Sequence, residues 1–134
     1  MNKKMLVLTI FTIFWTDAIA DTSFTCVTDL VSGFYYDSDR DTWQHATFVP
    51  GERFLITERR QDVYDVQRVD DQSSWSAICA ARVDQTGDSF SCMSGTSQFH
   101  FNREQLRFTA FRYFGYWNGS TDSTAISIGV CFPN

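Results

Sequence analysis

Cys26, Cys79, Cys92 and Cys131 are the residues whose chemistry the sequence constrains best. A zinc site would need closely spaced pairs, and there is no C-x-x-C and only His45 and His100 to complete a ligand set. Two disulfides are the expectation for an even count in a small exported chain. The segment between Cys79 and Cys92 reads as a hairpin turning at Asp84-Gln85-Thr86-Gly87, which sets residue 79 opposite residue 92. A non-hydrogen-bonded antiparallel pair has the short separation that a cross-strand disulfide requires. Cys26 then joins Cys131 across the ends of the exported chain. On the chain-entropy model that long loop contributes about 4 to 5 kcal/mol and the hairpin bridge about 3 kcal/mol.

Other reactive groups lack a frame. His45 and His100 have acid-base chemistry, but Ser32-Gly33 and Ser94-Gly95 are not in a G-x-S-x-G turn, and disulfide bonding leaves no thiol nucleophile. His100 alternates with Phe99 and Phe101, which turns it outward on a strand. Glycoside hydrolysis needs only two carboxylates at a set distance, yet Glu52, Glu58 and Glu104 all fall at turns or strand ends. Asp37-Ser38-Asp39-Arg40-Asp41 spaces its acids like a calcium loop. Thr42 stands where the sharp-turn Gly belongs and Phe48 where the bidentate Glu belongs, so a solvated hairpin tip is expected instead. No catalytic residue, metal or cofactor is predicted.

The densest feature is Phe111-Arg112-Tyr113-Phe114-Gly115-Tyr116-Trp117. Part of it must fill a core. Aromatics on both faces of one strand cannot all be buried, so an exposed edge is expected near Tyr116, Trp117 and the Asn118-Gly119 turn. Tyr, Trp and Arg are the types favoured at binding hot spots. Arg112, Tyr113, Tyr116, Trp117 and, further upstream, Trp43 are therefore the candidate binding residues.

The elements that must position these groups are strands. Period-two alternation recurs after residue 20, while helical periodicity is nearly absent. Gly33-Phe34-Tyr35-Tyr36 and Thr42-Trp43 flank the acidic turn, Phe54-Leu55-Ile56-Thr57 follows Pro50-Gly51, and Val63-Tyr64-Asp65-Val66 lies across a turn at Arg60-Gln61-Asp62. Residues 70–76 read as loop. Pairing Phe101 with Leu106 also pairs Phe99 with Phe108, which predicts a hairpin. Its second strand is expected to bulge or bend after Ala110, with Gly115 interrupting. The last strand sets Ile126, Ile128, Val130 and Phe132 on one face, expected to be the buried one, and Ala125, Ser127, Gly129 and Cys131 on the other. An all-β domain is predicted, a single antiparallel barrel or sandwich of about eight strands over residues 21–134.

Residues 1–20 read as a signal peptide: a Lys3-Lys4 start, an apolar run from Met5 to Trp15 too short to span a bilayer stably, and Ala18-Ile19-Ala20 as cleavage site. Removing Lys3, Lys4 and Asp17 from the 11 basic and 16 acidic residues leaves nine arginines, fifteen acids and a net charge of −6. That balance disfavours nucleic acid and favours a cationic or neutral partner.

Gly33-Phe34 with Trp43, Cys79 with Cys92, Phe101-Asn102 and a final Ile126-Ser127-Ile128-Gly129-Val130-Cys131 span most of the exported chain. In these it resembles a loose class of small exported proteobacterial proteins. The resemblance implies a fold and a periplasmic or secreted location, and it carries no active site. In size, barrel-like form and disulfide use the chain is also similar to periplasmic lysozyme inhibitors, without their Ser-Gly-x-x-Tyr type loop or a Lys after it. The leading expectation is a non-enzymatic binding protein, an inhibitor or immunity factor against a cell-wall-active or cationic protein. The alternatives are a carbohydrate or peptidoglycan binding module stacking sugars on Trp43, Trp75 or Trp117, and a small hydrolase with paired carboxylates.

Overall fold

A computed structural model describes residues 22–60, 63–69, 76–80, 87–113 and 115–134, with the backbone alone over 76–80. Residues 1–20, expected to be a signal peptide, and residues 70–75, expected to be loop, lie outside the described residues. Nine strands are present among them: β1 (Ser23–Asp37), β2 (Thr42–Phe48), β3 (Arg53–Arg60), β4 (Val63–Arg68), β5 (Ser76–Ala80), β6 (Ser89–Ser94), β7 (Ser97–Asn102), β8 (Arg107–Arg112) and β9 (Thr124–Pro133). One 3₁₀ turn, Tyr116–Asn118, follows β8.

The strands make one curled antiparallel sheet in the order β5-β4-β3-β1-β9-β8-β7-β6, a half-barrel rather than a sandwich. β1 is long enough to serve two partners on one edge. Its first residues, Ser23 to Val27, pair with β3, and Val31 to Asp37 pair with β2. A bulge between Thr28 and Leu30 separates the two halves. Past the start of β9, Tyr35 to Asp37 of β1 pair with β2 as a projecting hairpin, and the acidic turn 37–42 and the 3₁₀ turn meet at one tip.

The interior is aromatic. Phe24, Phe54, Tyr64, Phe90, Phe99, Phe101 and Phe108 are buried with Ile56 and Val66. Tyr64 stacks on Phe90 at 4.5 Å between centroids, Phe99 on Phe108 at 5.2 Å, and Phe54 meets Phe99 at 5.1 Å. These contacts join β3 and β4 to β6, β7 and β8 through the hollow of the sheet, which is how the curl is held. Pairs of this kind contribute about 0.5–1.5 kcal/mol beyond their buried area.

β9 inverts the expected burial. Ser127, Gly129 and Cys131 face the core, while Ile126, Ile128 and Phe132 are exposed and Val130 is half-buried. The reason is volume: seven aromatic rings already fill the interior, and the strand crossing under them must be thin. A Cβ on Gly129 would stand 2.6 Å from Phe108 Cε1 and 2.1 Å from the Val27 carbonyl oxygen.

Cys26 and Cys131 are directly opposite on β1 and β9 and form the expected disulfide, with Cα atoms 3.9 Å apart. Cys92 is also disulfide-bonded, and the side chain of Cys79 lies outside the described residues. Among the described residues the ladder expected between the two segments does not appear; Cys79 is opposite Tyr64 on β4, Cys92 is opposite Phe99 on β7, and Asp84-Gln85-Thr86 of the expected turn lie outside the described residues. β5 and β6 instead end the strand path on either side of its seam, close to each other. Two further expectations change. In the β7–β8 hairpin Phe101 pairs with Phe108 and Phe99 with Ala110, a shift of two residues that keeps every side chain on its face, because Leu106 enters the loop at φ 52°. The bulge or bend expected after Ala110 comes later, as a bend at Gly115, since β8 keeps its register through Arg112 and then ends.

Candidate binding faces

The tip gathers three of the five predicted binding residues. Trp43 on β2 meets Tyr116 of the 3₁₀ turn edge-on at 5.8 Å, and Tyr36 on β1 packs edge-on against Trp43 at 5.7 Å. Trp117 follows Tyr116, and both rings lie mostly in water. Gly115 permits this contact: it sits at φ 90°, and a Cβ there would stand 2.7 Å from the Trp43 ring and 1.9 Å from the Asp122 carbonyl oxygen. Asn118 Oδ1 accepts from the Ser120 amide at 3.0 Å, which closes the turn after the αL residue Gly119. The expected hairpin turn at Asn118-Gly119 is thus the end of a 3₁₀ turn.

The acidic tip behaves as a capped turn. Asp37 Oδ1 accepts from the amides of Asp39 at 3.1 Å and Arg40 at 3.3 Å, and Tyr36 donates its hydroxyl to Asp41. That hydrogen bond, with burial and the charge of Asp41, raises the Tyr36 pKa. Among the described residues no cluster of three or more His, Cys, Asp or Glu side chains could hold a metal ion.

Tyr113 and Arg112 go elsewhere. Tyr113 lies on the outer face, parallel to Phe111 at 5.8 Å, and donates its hydroxyl to Gln98 at 2.6 Å. Arg112 shares the inner face with Phe108 and Ala110. It donates to Glu52 Oε1 at 2.6 Å, and Arg68 donates to the same oxygen. These ion pairs tie the β2–β3 loop to the ends of β4 and β8, so Arg112 fastens the barrel mouth and is not a free hot-spot cation. Alternation along β8 could have shown this, because Arg112 falls on the side of Phe108.

Sequence reasoning missed a third surface. Val27, Leu30 and Phe34 on β1 join Ile126, Ile128 and Phe132 on β9 as an exposed apolar band on the outer face. Leu30 is directly opposite Ile128, and Phe111 on β8 is opposite Ile126. The six side chains leave on the order of 500 Å² in water, near the top of the range of about 300–600 Å² for the largest patch on a typical monomer. At its upper end Phe34 meets His45 edge-on at 5.9 Å, and His45 Nε2 shares a 3.0 Å hydrogen bond with Ser32 Oγ. This hydroxyl–imidazole pair is exposed, and no carboxylate holds the ring among the described residues, so it lacks the oriented base of acyl-transfer sites. His100 points outward on β7, as expected, and meets Phe111 edge-on at 5.7 Å.

Of the three predicted carboxylates, Glu52 holds the two arginines at the mouth and Glu104 is exposed in the β7–β8 turn. Glu58 lies near Tyr64, whose hydroxyl accepts from Arg103 at 2.7 Å. No helix among the described residues is long and apolar enough to cross a membrane. No protein-family model, curated protein or solved structure matches this chain.

Proposed function

We propose that the chain is a non-enzymatic exported binding protein that docks on another protein through the outer β1/β9 face, as an inhibitor or immunity factor. The exposed aliphatic band carries this reading. Large apolar side chains on the stiff central strands of a disulfide-bonded sheet cost about 500 Å² of exposure, and they lose little conformational freedom when covered. Asp37, Asp39, Asp41 and Asp122 surround the tip with only Arg40 among them, so the complementary partner is apolar opposite β9 and basic opposite the tip. A cell-wall-active or otherwise cationic protein has that character, and the leader and disulfides support a meeting in the periplasm or outside the cell.

A photo-crosslinking residue at position 128, with a control at exposed position 104, tests the reading in periplasmic extract. A basic protein joined from 128 and not from 104, whose activity falls when the chain is added, is the expected result. No adduct from 128, or equal adducts from both sites, would overturn it.

The sugar-stacking alternative rests on Tyr116 and Trp117, 74% and 71% exposed. Tyr36, Trp43 and Tyr116 meet at 64° and 77°, so they do not form the flat platform a pyranose face prefers. Glycan-array binding abolished by Trp117→Ala would favour this alternative, and silence on every glycan would remove it.

A further inference from the structure

Beside the apolar band, the outer face over β6, β7 and β8 holds a shallow groove of about 480 Å³. Its polar lining includes Ser91, His100, Asn102, Gln105, Arg107 and Thr109. The register explains the grouping: Ser91, His100 and Thr109 form one row across the three strands, and Asn102 and Arg107 are opposite each other in another. Among the described residues no carboxylate lines the groove, although acids outnumber bases 16 to 11 in the chain.

Arg107 is the distinguishing group. Arg40, Arg59, Arg68 and Arg112 each have a carboxylate partner, and Arg103 donates to Tyr64. Arg107, like Arg60 at the β3–β4 turn, has no ion pair among the described residues. A free guanidinium offers a planar fork of donors that fits a carboxylate with two parallel hydrogen bonds. Asn102 spends its carbonyl oxygen on the Gln105 amide at 2.7 Å, which leaves its side-chain NH₂ to donate. Hydroxyls at Ser91 and Thr109 and the ring nitrogens of His100 between them add donors and acceptors along one row. A volume of this size accommodates one or two saccharide units.

We infer that this groove is a binding site for an acidic saccharide, with Arg107 on the carboxylate and Ser91, Asn102 and Thr109 on ring hydroxyls. The site adjoins the β1/β9 band, with Thr109 opposite Ile128 and Arg107 opposite Val130, but it rests on its own polar lining and not on what docks on the band. It binds and does no chemistry.

Trigalacturonic acid, maltotriose and inorganic sulfate, titrated into ¹⁵N-labelled protein with its disulfides intact, test the inference. The expected result is a saturable set of amide shifts confined to β6, β7 and β8 with trigalacturonate, at least tenfold weaker binding of maltotriose, and no displacement by equimolar sulfate. Arg107→Gln should weaken trigalacturonate at least tenfold with an unchanged melting temperature. Ser91→Trp, which fills the groove from another strand, should abolish the shifts and covers the case in which Arg107→Gln folds poorly. Absence of shifts at β6–β8, equal binding of maltotriose, or full displacement by sulfate would overturn the inference. So would unchanged affinity in either folded variant.

Discussion

The two faces of β9 are made of opposite materials, and the larger side chains are on the wet side. Inward stand Ala125, Ser127, Gly129 and Cys131; outward stand Ile126, Ile128, Val130 and Phe132. A strand of a small barrel is usually apolar inside and polar outside. Here β3, β4, β6, β7 and β8 bring the volume, and β9 brings thinness and a disulfide. Its outward residues therefore cannot be explained by the core, which is why they are the strongest evidence for a partner.

The comparison is broken most severely at Gly129. Gly129→Val would drive a side chain into the Val27 carbonyl and the Phe108 ring. Loss of several kcal/mol, of order 3 or more, is expected, enough to abolish soluble folded protein. Expression yield and circular dichroism read the outcome. Phe99→Ala comes next, because Phe99 is fully buried between Phe54 and Phe108. Its cavity should cost about 3–5 kcal/mol, measured by urea unfolding.

Removing the Cys26–Cys131 bond in a Cys26→Ser/Cys131→Ser variant should cost about 2–5 kcal/mol. The bond spans 105 residues of sequence, so most of the effect acts on the unfolded chain. Reductant should lower the melting temperature of the wild type and lower that of the variant less. Unchanged stability in reductant would contradict a stapling role.

The smallest effect is alkaline. Burial raises the Tyr64 pKa above 10.0, more than offsetting the nearby Arg103 that lowers it. A raised folded pKa means that the fold prefers the protonated phenol. That stability is complete below the unfolded value of about 10 and is lost as pH rises through the folded value. Unfolding free energy should fall above pH 10, and Tyr64→Phe should flatten that slope while costing about 1 kcal/mol at pH 7 for the lost Arg103 hydrogen bond.

The legible parts of the fold are those with local chemistry. Asp37 to Thr42 announce a turn because short acidic side chains bond to the next amides, and they do so. The β7–β8 hairpin is legible because Phe99, Phe101 and Phe108 alternate on one face. Its exact register is not, since a shift of two residues preserves that face. The orientation of β9 is illegible for a deeper reason: alternation reveals two faces and not which one meets a core already filled by distant strands. The candidate binding residues divide in the same way. Trp43, Tyr116 and Trp117 meet because Gly115 allows close approach, whereas Arg112 is claimed by Glu52, sixty residues away in sequence.

Ile128→Ser, followed by urea unfolding, tests the central claim most directly. Ile128 is 44% exposed on the outer face. With that face in water, the substitution should change the unfolding free energy by no more than about 1 kcal/mol. A loss of about 3 kcal/mol or more, the range of a buried aliphatic truncation, would place Ile128 in the core and contradict the account.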